Sequence, residues 1–99
     1  MNRDKVIEII KENKKDIEKL GAFRIGLFGS YARSDNNNAS DIDLIIDIKK
    51  DSQTFDNFMN IAIMLEDIFG KKVDLLTRDS IDSNFYNAIK SEIIYVWKR

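Results

Sequence analysis

The stretch Asp41-Ile42-Asp43-Leu44-Ile45-Ile46-Asp47-Ile48 constrains this chain more than any other. Its β-branched residues favour extended backbone. The acidic positions 41, 43 and 47 share parity, and successive side chains on a strand point to opposite faces, so all three fall on one face. A strand with one acidic face is expected here, and the chain around it has to supply the rest of a sheet.

Upstream, Val6, Ile9, Ile10, Ile17 and Leu20 recur at helical spacing among lysines and glutamates, which predicts one amphipathic helix over residues 3–20, stopped by Gly21. Residues 22–28 read as a first strand that ends at Gly29-Ser30. A short helical turn and a polar surface loop through Asp35-Asn36-Asn37-Asn38 lead to the acidic strand. Between 52 and 69, Phe55, Phe58, Met59, Ala62, Leu65 and Phe69 form a stripe that Ile61, Met64 and Ile68 widen, with Gly70 closing the segment. Buried core explains most of that helix, and its breadth is also compatible with a partner-binding face. Residues 72–77 read as a third strand, a helix follows from Asp79 or Ser80 carrying Ile81, Phe85, Ala88 and Ile89, and residues 92–97 are a fourth, edge strand by their β-branched and aromatic content. The order implies an α/β (α+β) fold, a small mixed β-sheet flanked by helices.

Length and composition bound the chemistry. The 99 residues, with 43% hydrophobic and 33% charged, fit one domain spanning 1–99. The absence of cysteine and histidine excludes disulfides, thiolate or imidazole metal sites and Ser-His-Asp triads. Any catalysis must come from carboxylates, lysines, hydroxyls and bound metal. A net charge of -1 gives no electrostatic footprint for a nucleic-acid backbone, so no direct binding of long nucleic acid is expected. Charges interrupt every early apolar run, which argues against a signal peptide, and no run approaches the roughly 20 residues of a membrane span, so a cytoplasmic protein is expected.

Against this background one constellation stands out, Gly29-Ser30 and then Asp41-Ile42-Asp43, each at the edge of an expected strand. Either half alone is weak, since Gly-Ser is a common turn and alternate aspartates are a common exposed face. Together they combine an anion seat with a metal seat. Gly29 lets backbone approach a ligand and Ser30 begins a helical turn with free N–H groups and a hydroxyl. Asp41 and Asp43 can converge on hard divalent cations, and clustered carboxylates repel unless a cation offsets them. Asp74, flanked by Val73 and Leu75, adds a third carboxylate if its strand lies beside the acidic one. Arg33, three residues past Ser30, can pair with a phosphate oxygen.

Leu27-Phe28-Gly29-Ser30-Tyr31-Ala32-Arg33, followed by Ser40-Asp41-Ile42-Asp43-Leu44-Ile45, closely resembles the signature of the nucleotidyltransferase superfamily typified by DNA polymerase beta, and more narrowly the minimal nucleotidyltransferases, small proteins generally encoded beside a helical HEPN-domain partner. The resemblance implies the polymerase beta-like fold, nucleotide binding by Gly29, Ser30, Arg33 and Ser40, and two Mg²⁺ ions held by Asp41 and Asp43. Asp74 matches the third carboxylate, which helps bind the catalytic metal and activate the acceptor hydroxyl. It further implies metal-dependent transfer of AMP from ATP to a hydroxyl on a HEPN toxin partner, for which this chain is the antitoxin. The alternative is a non-catalytic antitoxin that inhibits by stoichiometric binding. One departure is Ser34, where the family often has glycine, which removes a flexible position from the loop that follows.

Overall fold

The computed structural model describes residues 1–97, so the last two residues of the expected 1–99 domain lie outside it. Its elements are α1 (Arg3–Glu12), α2 (Lys14–Lys19), β1 (Ala22–Phe28), α3 (Gly29–Arg33), β2 (Ile42–Ile48), α4 (Phe55–Phe69), β3 (Val73–Thr77), α5 (Ser83–Ile89) and β4 (Ile94–Trp97). The strands form one mixed sheet in the order β3-β2-β1-β4. β1 runs antiparallel to β2 and to β4, whereas β2 and β3 are parallel, with α4 as the crossover between them. This polarity has one consequence for function. The end of β1 and the beginnings of β2, β3 and β4 all lie at the same end of the sheet.

The sheet has two unequal faces. Ile25 and Leu27 of β1, Ile42, Leu44, Ile46 and Ile48 of β2, and Val73 and Leu75 of β3 join the main core with Val6, Ile10, Ile17, Ile61, Leu65 and Phe69. Fully burying each such aliphatic side chain contributes on the order of 1.5–3 kcal/mol. The opposite parity carries Phe28 and Ile45, which pack with Ile89 of α5 in a smaller cluster. Asp43 and Asp47 are on this second face, as the shared parity of the acidic residues requires.

The element boundaries depart from the sequence expectation at several points, the last strand for example starting at Ile94 and leaving Glu92 in the turn before it. The helix expected over 3–20 breaks at Asn13, whose side-chain amide donates to the Ile9 carbonyl at 2.8 Å while its backbone leaves helical geometry (φ -107, ψ 15). An asparagine that reaches its own helix backbone competes with helix continuation. The acidic strand begins at Ile42, so Asp41 precedes it. The third helix of the sequence reading starts at Phe55, where the Thr54 hydroxyl accepts from the Asn57 N–H at 3.1 Å, and residues 50–52 form a 3-10 turn instead. The helix expected from 79 or 80 starts at Ser83, capped by Asp82, because Ser80 folds back on Thr77 in a second 3-10 turn; Ile81 lies outside it. The terminal segment is an edge strand, as its composition suggested. The broad apolar stripe of α4 divides: Ile61, Leu65 and Phe69 are buried, whereas Phe55, Met59 and Ile63 are exposed.

Candidate active site

All seven residues singled out in the sequence, Gly29, Ser30, Arg33, Ser40, Asp41, Asp43 and Asp74, line one open cleft at the shared end of the strands. Gly29 is where β1 turns into α3, with φ of +75. A β-carbon there would stand 2.1 Å from Asp43 Oδ2, so only glycine fits both the conformation and the space. Arg33, at the end of α3, donates from Nε to Asp35 at 3.0 Å and from Nη1 to Glu92 at 3.1 Å. Ser34 then closes the helix in the left-handed region (φ 65, ψ 28), which explains why a glycine is the easier residue at this position.

The carboxylates are placed by strand register. β2 and β3 pair with Asp43 opposite Asp74, and β1 pairs with β2 so that Phe28 is opposite Asp43. The register therefore places the Asp43 and Asp74 carboxyls side by side at the entrance of the two parallel strands. Burial, then Asp74, then Asp41 push the Asp43 carboxyl up to about 6, with Arg33 pulling the other way. Asp41 is 3.8 Å from Lys72 Nζ across the strand entrance. The Ser40 hydroxyl accepts from the Asn37 N–H at 3.0 Å, so it shapes the loop as well as lining the cleft. Lys71 ties that loop to α3 by donating to the Tyr31 hydroxyl at 2.9 Å and the Asn38 carbonyl at 3.4 Å.

Four further residues line the cleft, Phe28, Phe85, Ile89 and Glu92, and none of them had a role in the site on sequence grounds. Glu92 accepts from the Gly29 N–H at 2.5 Å, and Phe85 meets Phe28 edge-on at 6.4 Å between ring centroids. The only signal for Glu92 is a carboxylate directly ahead of an apolar strand. Its meaning depends on β4 joining the sheet beside β1, which the local sequence does not state.

The donor set fits a hard divalent cation, which prefers carboxylate oxygen. Burial first, and the neighbouring Asp74 and Asp41 next, raise the Asp43 carboxyl, and a cation bound among these side chains would offset both effects. Among the described residues, no three acidic side chains are gathered tightly enough to share one ion as they lie. Asp43 and Asp74 stand opposite each other in register, and Asp41 lies toward Lys72. What the arrangement offers chemically is two carboxyls opposite each other in register, a third carboxylate just ahead of the strand, and an amide and a guanidinium that meet on one carboxylate oxygen.

Residues 3–96 match the family model described as a nucleotidyltransferase domain. Among curated relatives, protein adenylyltransferase MntA of Thermococcus cleftensis is 30% identical over 94 residues, covering 94% of each chain. Among solved structures, a candidate minimal nucleotidyltransferase superposes with a TM-score of 0.83 at 22% identity, covering 95% of both chains. A complex of tri-AMPylated Shewanella oneidensis HEPN toxin with MNT antitoxin matches with a TM-score of 0.62 at 22% identity, covering 90% of this chain and 72% of that one. At such identities the structural matches speak for the fold.

Proposed function

The chain belongs to the nucleotidyltransferase domain family, and from that premise we propose that it transfers AMP from ATP to a hydroxyl on a HEPN toxin partner, as the antitoxin of the pair. The observation that carries the proposal is the register of Asp43 with Asp74, which sets two carboxyls side by side directly next to the Gly29 turn, where a β-carbon would run into Asp43. The name of the Thermococcus relative supports protein as the acceptor class, and the AMPylated toxin complex supports its identity.

In this reading the Gly29 N–H, the Ser30 hydroxyl and Arg33 hold the nucleotide phosphates, with Ser40 on the adjoining wall. Asp41 and Asp43, assisted by Asp74, would hold two Mg²⁺ ions, whose charge lowers the pKa of the acceptor hydroxyl and neutralises the departing pyrophosphate. Asp74 accepts the proton of the acceptor hydroxyl. The acceptor oxygen forms its bond to the α-phosphorus as the bond from that phosphorus to the pyrophosphate oxygen breaks. Every role falls to a carboxylate, a hydroxyl, an amide or an arginine, in keeping with a chain that has no histidine or cysteine.

The test is incubation with α-labelled ATP, Mg²⁺ and the product of the adjacent gene. Label is expected on that partner with the wild type and not with an Asp41→Ala/Asp43→Ala double variant. Equal labelling by the double variant, or none by the wild type, would remove the proposal. The non-catalytic alternative predicts full toxin inhibition by that double variant, whereas the transfer reading predicts that inhibition goes with the label.

A further inference from the structure

Glu92, in the turn between α5 and β4, is the acidic side chain of the cleft that the transfer chemistry does not use. Its Oε2 accepts from the Gly29 backbone N–H at 2.5 Å and from Arg33 Nη1 at 3.1 Å. These are two of the donors assigned above to the nucleotide phosphates. One carboxylate oxygen taking both makes the bonds that an anionic phosphate oxygen would make, since each is negatively charged and purely an acceptor.

The contact is held in place by the fold around it. The Glu92 side chain is only 22% exposed. Its backbone N–H donates to the Ile89 carbonyl at 2.9 Å, and β4 pairs with β1 through Ile94 opposite Leu27. The backbone on either side of Glu92 is therefore anchored, and rotation of one side chain is enough to release both donors.

We propose that Glu92 is an internal occupant of the phosphate seat, displaced when a nucleotide binds, and thereby the residue that sets how tightly the cleft takes a triphosphate. The proposal rests on the assignment of Gly29 and Arg33 to the nucleotide phosphates. An incoming phosphate exchanges its solvent for two donors that already have a charged partner, so it gains only the difference. Weakening the internal partner must strengthen the external one. Glu92→Gln keeps the size of the side chain but replaces charge-assisted acceptance by neutral acceptance, a change worth roughly tenfold in affinity.

The experiment is calorimetric titration of AMP-PNP with Mg²⁺, and separately of adenosine, into the wild type, Glu92→Gln and Glu92→Asp, with the Gly29 amide followed by ¹⁵N–¹H correlation spectra. The expected result is roughly tenfold tighter AMP-PNP binding by Glu92→Gln. Glu92→Asp is also expected to bind more tightly than the wild type, because it keeps the charge but falls one methylene short of Gly29. Adenosine, which carries no phosphate, is expected to gain nothing, and the free Gly29 amide should shift in both variants. A damaged fold cannot produce a gain in affinity, so the gain separates this role from a structural one. Equal or weaker AMP-PNP binding by Glu92→Gln overturns the proposal, as does a Glu92→Asp variant indistinguishable from wild type, which reduces the effect to charge repulsion at a distance. AMP-PNP binding by none of the three proteins overturns the phosphate assignment and this proposal with it, an outcome distinct from tight wild-type binding that Glu92 does not alter.

Discussion

Asp43 and Asp47 are the same residue type on the same strand and the same face of the sheet, yet their surroundings are opposite. Across the β1 pairing, Asp47 meets Arg24 and Asp43 meets Phe28. The Asp47 carboxylate accepts from Arg24 Nε, and the same guanidinium lies 5.2 Å from the centre of the Tyr95 ring. Asp43 has Asp74 on its other neighbour and Asp41 two residues back, and its carboxyl rises to about 6 through burial first and those like charges next. One end of the face is an ion pair completed within the fold. The other is a charge deficit left open beside a glycine turn. The contrast teaches that an acidic position on a strand becomes a site through what the neighbouring strands place opposite it, and its residue type alone does not decide the matter.

The contrast can be broken most severely by exchanging each aspartate for asparagine. Asp43→Asn is expected to lower AMP transfer at least about a hundredfold, since it removes a ligand oxygen from chemistry that depends on several kcal/mol of charge stabilisation. Asp47→Asn is expected to leave transfer within a few-fold of wild type and instead to lower unfolding free energy by about 1–3 kcal/mol, the range for a hydrogen bond to a charged partner. Initial rates and urea midpoints measured on both variants check this, and equal loss of transfer in the two would erase the distinction.

A smaller effect concerns pH. The folded Asp43 carboxyl, at about 6, holds its proton more tightly than the ordinary value of 3.8 in the unfolded chain. Between those values the folded state binds the extra proton, so stability of the metal-free protein is present at the acid end and falls as pH rises toward 6. Solvent screening of this partly exposed group leaves about 1–2 kcal/mol of that slope. Urea midpoints from pH 4 to 7 should show the decline in wild type and Asp47→Asn, and its disappearance in Asp43→Asn. A slope that survives in Asp43→Asn would assign it elsewhere.

The smallest effect is a control on backbone strain next to the site. Ser34→Gly relieves a left-handed residue and is expected to add about 0.5–1 kcal/mol of stability, read as a higher melting temperature, without changing which aspartate matters for transfer. No gain in melting temperature would mean that the hydroxyl or the loop compensates for the strain.

Much of this was legible in the sequence because it depends on local pattern. Parity placed Asp43 and Asp47 on one face, and Val73-Asp74-Leu75 was recognisable as a strand, whose pairing beside the acidic one the structure supplies. Parity could not say that only one of the two β2 residues would find an arginine, because Arg24 reaches Asp47 through the register of a different strand. Glu92 was hidden for the same reason, since its approach to Gly29 is created by β4 joining the far side of β1. The break at Asn13 was hidden by a different cause: its neighbours keep helical periodicity on both sides, and a side-chain bond to Ile9 decides the matter.

The most direct measurement is thermal unfolding with and without Mg²⁺ and AMP-PNP for the wild type, Asp43→Asn and Asp47→Asn, because a ligand that binds only the native state must raise the melting temperature. Asp47→Asn should melt lower than wild type yet gain as much from the ligands, and Asp43→Asn should melt no lower than wild type yet gain almost nothing. A full ligand-dependent gain in Asp43→Asn, or its loss in Asp47→Asn, would contradict the assignment of the open carboxylate end as the nucleotide and metal site.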